Sequence, residues 1–105
     1  MSLWKWNDVE LDIDMEDVDF QKKYEAAFKA IAEDEKKLKA VGMNSQFSEG
    51  YCKMHFKLFD SIFGEGTSEK LFKGKMHIGL VEDCYDSFIQ VCANDSREIN
   101  KRRAK

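Results

Sequence analysis

The chain has 105 residues, of which 43% are hydrophobic and 35% are charged, and its net charge is −3. This length predicts one domain, and the apolar content is too high for an intrinsically disordered chain. The absence of proline, with only six glycines, favours helices over a fold with many turns. No apolar run approaches the roughly 18–20 residues that span a bilayer and no secretory leader opens the sequence, so we expect a cytoplasmic protein without a membrane partner.

The first thirteen residues predict a β-hairpin. Apolar and polar residues alternate on either side of Asn7-Asp8. The apolar residues Trp4 and Trp6 stand at even positions before this pair, whereas the apolar residues after it stand at odd positions. A two-residue turn there explains the change, and it pairs positions whose numbers sum to 15, so Trp4 and Trp6 share one face. A two-stranded hairpin is marginal in water, so this face must lie on the domain's own helices or on a partner protein. Trp4 and Trp6 are therefore candidate protein-binding residues.

Residues 17–41 predict the first helix. Acidic residues occupy its first turn, where the helix dipole favours negative charge, and Gly42 follows as a C-terminal stop. Its apolar stripe has helical spacing and consists of Phe20, Tyr24, Ala27, Phe28, Ile31, Leu38 and Val41. Two acidic residues interrupt the stripe, so we expect the far end to project from the core and to offer Leu38 and Val41 to a partner.

The rest of the chain predicts three more helices. One starts near Ser45, an N-cap, and ends before Gly64. A short helix follows, capped by Thr67 or Ser68 and closed by Gly74. The last helix starts between His77 and Leu80 and is expected to fray into the basic end.

The predicted fold class is mostly α, with three main helices, one short helix and an N-terminal β-hairpin. We expect a single domain over residues 1–105. It divides into a hairpin (1–15), a helical body (16–96) and a basic tail (97–105).

No catalytic, cofactor or metal site is predicted, so we expect a non-enzyme. The cysteines Cys52, Cys84 and Cys92 are odd in number, lack CxxC spacing and lie among apolar residues, which indicates buried free thiols. His55 and His77 have no Cys or acidic residue at ligand spacing on the same helix face. A thiol nucleophile assembled from distant parts of the chain stays open as an alternative.

Charge is uneven along the chain. Residues 1–20 hold seven acidic side chains and one lysine, whereas residues 97–105 hold five basic side chains and one glutamate. The basic end could contact phosphate, so a small nucleic-acid-binding accessory protein is the alternative function, although the acidic chain as a whole disfavours it. The separated charges and the many aromatic residues also predict a weak homo-oligomer.

One segment resembles a known family. The sequence FDSIFGEGTSEKLFKG at residues 59–74 resembles the "FGEGT…K-F-G" segment of small tail assembly chaperone-like proteins from phages and prophages of Gram-positive bacteria. The hairpin, the segment LDIDMEDVDF at residues 11–20 and Tyr24-Glu25 are also similar to that family. The resemblance covers residues 5–92, and the basic end departs from it. Its motif turn consists of Phe63, Gly64, Glu65, Gly66 and Thr67.

The resemblance implies a function. Such a protein is non-catalytic, is made in the cytoplasm of the bacterial host, binds the long helical tape-measure protein and helps the tail-tube subunits to assemble around it. A helix-breaking connector explains the glycines of the motif turn equally well.

Overall fold

The structure, a computed structural model, describes residues 1–38 and 44–104. Its elements in chain order are β1 (Ser2–Trp6), β2 (Val9–Ile13), α1 (Val18–Leu38), α2 (Ser45–Phe63), α3 (Thr67–Phe72) and α4 (Ile78–Arg103). The predicted fold class is confirmed: three long helices and one short helix follow an N-terminal hairpin. No helix in the described ranges is long and apolar enough to cross a membrane.

The hairpin has the predicted register. Trp6 pairs with Val9 and Trp4 with Leu11, so the paired positions sum to 15. Asn7 has a φ of 54°, the left-handed conformation that a two-residue hairpin turn requires and that asparagine tolerates. On the outer face, Lys5 Nζ lies 3.8 Å from a carboxylate oxygen of Glu10.

The three long helices form a bundle. α1 is antiparallel to α2, because the start of α1 meets the end of α2 where the rings of Phe20 and Phe63 lie 6.1 Å apart. α4 runs in the same direction as α2, because His55 meets Tyr85 and, further along both helices, Phe63 meets Phe88. α3 lies in the connection between α2 and α4. The hairpin packs on α4, and its apolar face closes the core.

The core lies between the three long helices, α3 and the hairpin. Its rings and aliphatic side chains come from every element, and all three cysteines belong to it as free thiols, as predicted. The buried cluster consists of Trp4, Ile13, Ala27, Cys52, Leu58, Phe59, Ile62, Leu71, Phe72, Val81, Cys84, Phe88 and Cys92.

Two expectations about helix ends were wrong in detail. The N-cap of α2 is Asn44, whose side-chain oxygen accepts a hydrogen bond from Phe47 N–H at 2.9 Å, and Ser45 is the first helical residue. The N-cap of α3 is Gly66 rather than Thr67 or Ser68. α3 ends at Phe72, and Gly74 follows at a φ of 78°, which fits its predicted role as the stop.

Residues 97–103 of the basic end are helical, whereas the sequence predicts that the last helix frays there. α4 continues to Arg103, and Ile99 is buried on its inner side. Arg102 forms an ion pair with Glu16, which precedes α1, and this contact ties the last turns of α4 to the body. Lys105 lies outside the described residues.

Candidate protein-binding seam

The predicted binding residue Trp4 lies in the domain's own core. Its side chain is 1% exposed, and its ring centroid is 5.6 Å from that of Phe59 and 5.2 Å from that of Phe88. Its indole N–H donates to Ser87 Oγ at 3.1 Å. Of the two alternatives for the tryptophan face, packing on the domain's own helices is the observed one, so Trp4 is not available to a partner.

Trp6 is half-buried next to this core. Its indole N–H is buried without a hydrogen-bond partner in the described part of the chain. Trp6 thus packs mainly against its own domain, and the structure gives it little free surface for a partner.

The far end of the first helix lies against α2, where Leu38 is half-buried and lines the surface grooves between the two helices. A methyl group placed on Gly50 would lie 2.7 Å from Cδ2 of Leu38, so the two helices are in close contact there. One turn earlier, Asp34 lies 3.8 Å from Lys57 Nζ on α2. Val41 and the predicted stop at Gly42 lie outside the described residues.

The motif turn is a connector between α2 and α3. Gly64 has φ 113° and ψ 154°, a backbone region that only glycine adopts without strain. Thr67 Oγ1 donates to the Gly64 carbonyl at 2.7 Å, and the Asp60 carboxylate accepts from Ser68 N–H at 2.7 Å. Phe63 points inward to the rings of the core, while Glu65 and Gly66 are exposed. These contacts explain the segment as local structure.

A half-covered apolar feature lies between α1 and α4. Within the described span of α1, Ala27 is the one fully buried residue, although the helix carries a stripe of rings. Tyr24 meets Phe28 at 4.5 Å between ring centroids, and Phe28 meets Tyr85 of α4 at 6.2 Å. The two helices therefore meet through half-buried side chains rather than through close backbone packing.

α2 supplies the floor of this feature towards the start of α4. The His55 ring lies 5.0 Å from Tyr85 and 4.5 Å from Tyr51, and its Nδ1 is 2.9 Å from the Tyr51 carbonyl oxygen. We call the continuous row of rings the aromatic seam, which consists of Tyr24, Phe28, Tyr51, His55 and Tyr85.

A groove extends the aromatic seam towards the start of α1 and the end of α4. It has a volume of about 330 Å³ and contains Tyr24 itself. Met15 and Ile99 supply apolar lining, and the other lining residues are Gln21, Glu25, Ser96 and Asn100. The seam and the groove thus form one elongated surface along α1 and α4.

Carboxylates surround the other end of the seam. Glu82 lies one helical turn before Tyr85, Asp86 lies next to it, and Glu35 lies two turns after Phe28 on α1. We call these three residues the acidic end. Burial raises the pKa of Tyr51 to about 12, and the charges of Glu82 and Asp86 add to this shift. Burial also raises the pKa of Tyr85, with contributions from Glu35 and Asp86.

The buried titratable groups do not form a reactive arrangement in the described residues. Burial raises the pKa values of Cys84 and Cys92 to about 12, which keeps both thiols protonated and weakly nucleophilic at neutral pH. Burial also lowers the pKa of His55, so its ring is neutral there. Across residues 1–38 and 44–104, no group of three or more His, Cys, Asp or Glu side chains could hold a metal ion.

One buried charge, Asp95 in α4, was not expected from the sequence, and it is 1% exposed. Its carboxylate accepts from Ser2 Oγ at 2.7 Å and from Met15 N–H at 2.9 Å, and it lies 3.0 Å from the amino group of Met1. Burial alone would raise the pKa of Asp95, but these hydrogen bonds and the amino group outweigh it and hold the pKa below its usual range. Asp95 thus fastens both ends of the hairpin to α4.

Among the described residues of the basic end, two cations are paired and two are unpaired. Lys101 lies 3.8 Å from Glu98, and Arg102 pairs with Glu16. Arg97 and Arg103 have no ion pair among the described residues. All four of these side chains are exposed, so they lie on the surface that the alternative function of nucleic-acid binding would use.

Comparison with known proteins gives one match. Residues 7–105 match the family described as "Family of unknown function (DUF6673)". No curated protein and no solved structure matches the chain significantly. Because the match covers almost the whole sequence, this chain belongs to the DUF6673 family.

Proposed function

We propose that this chain is a non-catalytic, tail assembly chaperone-like phage or prophage protein that binds the tape-measure protein in the bacterial host cytoplasm and aids assembly of the tail tube. The observation that carries the proposal is the half-covered aromatic seam. A helix of 21 residues with one fully buried side chain leaves most of its apolar stripe incompletely packed. An additional helix placed over the seam would complete a four-helix arrangement.

The shape of the seam supports a helical client. From Gln21 to Glu35, α1 extends for about 21 Å at 1.5 Å per residue, which is the length of four helical turns. A helix-in-groove contact buries residues at i, i+3, i+4 and i+7 of the client. Tyrosine suits such a contact, because its ring is apolar and its hydroxyl group tolerates water before the client arrives.

The resemblance of residues 59–74 and 11–20 to tail assembly chaperone-like proteins supplies the identity of the client. The tape-measure protein is long and helical, and its apolar stripes must be kept from aggregating until tube subunits surround it. Partly covered aromatic surface on a small cytoplasmic helper serves this purpose. We also propose that the chain forms a weak homo-oligomer, which the separated charges and the many aromatic residues favour.

Co-expression with the tape-measure protein of the same genome tests the proposal. We expect the client to stay in the soluble fraction and to co-purify with the chain. Tyr24→Glu, which places a charge in the seam, should abolish co-purification, whereas Ala26→Glu on the exposed side of the same helix should not. Thermal unfolding checks that both variants fold. A client that aggregates equally with and without the wild-type chain would refute the proposed function.

A further inference from the structure

The charge around the aromatic seam indicates which kind of helix binds there. This inference rests on the proposed function. The acidic end places Glu35, Glu82 and Asp86 beside half-buried tyrosine rings. None of the three carboxylates forms an ion pair in the described part of the chain, although eight other ion pairs are present there. This end of the seam therefore has a negative potential that the fold itself does not neutralise.

Rings and carboxylates together favour a cation. Lysine and arginine side chains bind over the faces of tyrosine rings, and a neighbouring carboxylate strengthens the contact. The positions support one such site on α4, because Glu82 and Tyr85 are three residues apart and thus share a helix face. Tyr51 of α2 adds a second ring beside them, linked to Tyr85 through His55.

A second copy of this chain does not supply the matching surface. Its basic helix end has Arg97, Lys101, Arg102 and Arg103 exposed, but its apolar residue Ile99 is buried in its own fold. The strongly exposed apolar side chains of the described residues are scattered and form no helical stripe: Met1, Leu3, Val18 and Met76. A helix that fills the seam must combine an apolar stripe with cations that reach the acidic end. Since the basic end of a second copy lacks such a stripe, we assign the helix to another protein.

We propose that the aromatic seam binds a basic amphipathic α-helix of the client, with the apolar stripe of that helix over the rings and its lysine or arginine side chains at the acidic end. The apolar stripe provides most of the affinity. The cations set the direction in which the client helix lies and exclude acidic helices, since like charges at this end repel.

Two synthetic helical peptides of about 18 residues test this inference. They share one leucine stripe, and one carries lysine and the other glutamate on the flanks. At about 50 mM salt, titration calorimetry should show the basic peptide binding at least about tenfold more tightly than the acidic one. The double variant Glu82→Gln/Asp86→Asn should lose most of this preference while its thermal unfolding stays that of the wild type.

A matched control variant separates the effect of charge at the acidic end from the effect of the net charge of the chain. Glu65→Gln/Glu69→Gln removes the same net charge at the exposed connector and α3, away from the seam, and it should keep the preference. Equal affinity for both peptides, or an equal loss of preference in both double variants, would overturn the inference. Sedimentation of the chain alone tests for self-association. If the chain forms a dimer and Glu82→Gln/Asp86→Asn dissociates it, a second copy occupies the seam, and the inference is overturned.

The co-expression experiment keeps the two proposals distinguishable. Capture of the tape-measure protein without any preference for the basic peptide would leave the proposed function standing and refute the inference about charge. Binding of the basic peptide without capture of the tape-measure protein would support the inference about the site and refute the identity of the client.

Discussion

Replacement of Trp4 by alanine should remove a large part of the stability of this domain. The indole is 1% exposed and its ring packs on those of Phe59, Phe63 and Phe88 at centroid distances of 5.2 to 5.8 Å. Truncation of such a residue leaves a cavity and costs about 3–5 kcal/mol, of a total stability of about 5–15 kcal/mol for a domain. We therefore expect Trp4→Ala to lower the free energy of unfolding by about 4 kcal/mol.

Urea denaturation followed by circular dichroism measures this loss, since the ellipticity of the helices does not depend on the missing indole. The urea concentration at the midpoint of unfolding should fall strongly, while the slope of the unfolding free energy against urea concentration should stay constant. Leu3→Ala is the matched control, because Leu3 lies in the same strand but is 49% exposed, and it should change stability by less than about 0.5 kcal/mol. A loss below about 1 kcal/mol for Trp4→Ala would refute the packing of the hairpin on the helices.

Three further predictions concern the connector, the buried carboxylate and the thiols. Gly64→Ala should destabilise by about 1–3 kcal/mol in urea denaturation through backbone strain alone, because a methyl group there meets no atom within 4 Å; an unchanged midpoint would contradict the geometry. Asp95→Asn should cost about 1.5–3 kcal/mol at pH 7. The pKa of Asp95 in the folded state lies below the unfolded value of about 3.9, so this stabilisation is present above pH 4 and is lost as the pH falls through the folded pKa. A difference in unfolding free energy between Asp95→Asn and wild type that stays constant down to pH 2 would contradict this account. All three cysteines should react with a thiol reagent at neutral pH only after denaturation, and rapid labelling of one in the native state would revive the alternative of a thiol nucleophile.

The hairpin and the helices were predictable because their signals are local. The parity change at Asn7-Asp8 fixes the register of the strands, and glycines mark the connector after α2. The continuation of α4 was missed because basic residues at a helix end resemble a solvated tail. Burial of Ile99 and the ion pair from Arg102 to Glu16, 86 positions away in the sequence, hold it in place.

The candidate site was less predictable than the fold. The buried role of Asp95 depends on partners 80 and 93 positions away, which no local pattern reveals. The rings of the seam were recognised as members of apolar stripes. The partial exposure of Tyr24, Phe28 and Tyr85, unlike the burial of His55, depends on how closely α1 and α4 approach each other. One signal was present in the sequence: tyrosine and histidine, rather than leucine or isoleucine, occupy Tyr24, Tyr51, His55 and Tyr85.

The central claim is that the aromatic seam binds a helical client, and an NMR titration tests it most directly. The isotope-labelled chain is titrated with the tape-measure protein, or with helical fragments of it, from the same genome. The account predicts that amide shifts change mainly along residues 21–35 of α1 and 82–100 of α4, with little change in the hairpin turn or the connector at residues 64–66. Changes confined to the hairpin or the connector, or no changes at saturating client, would contradict it.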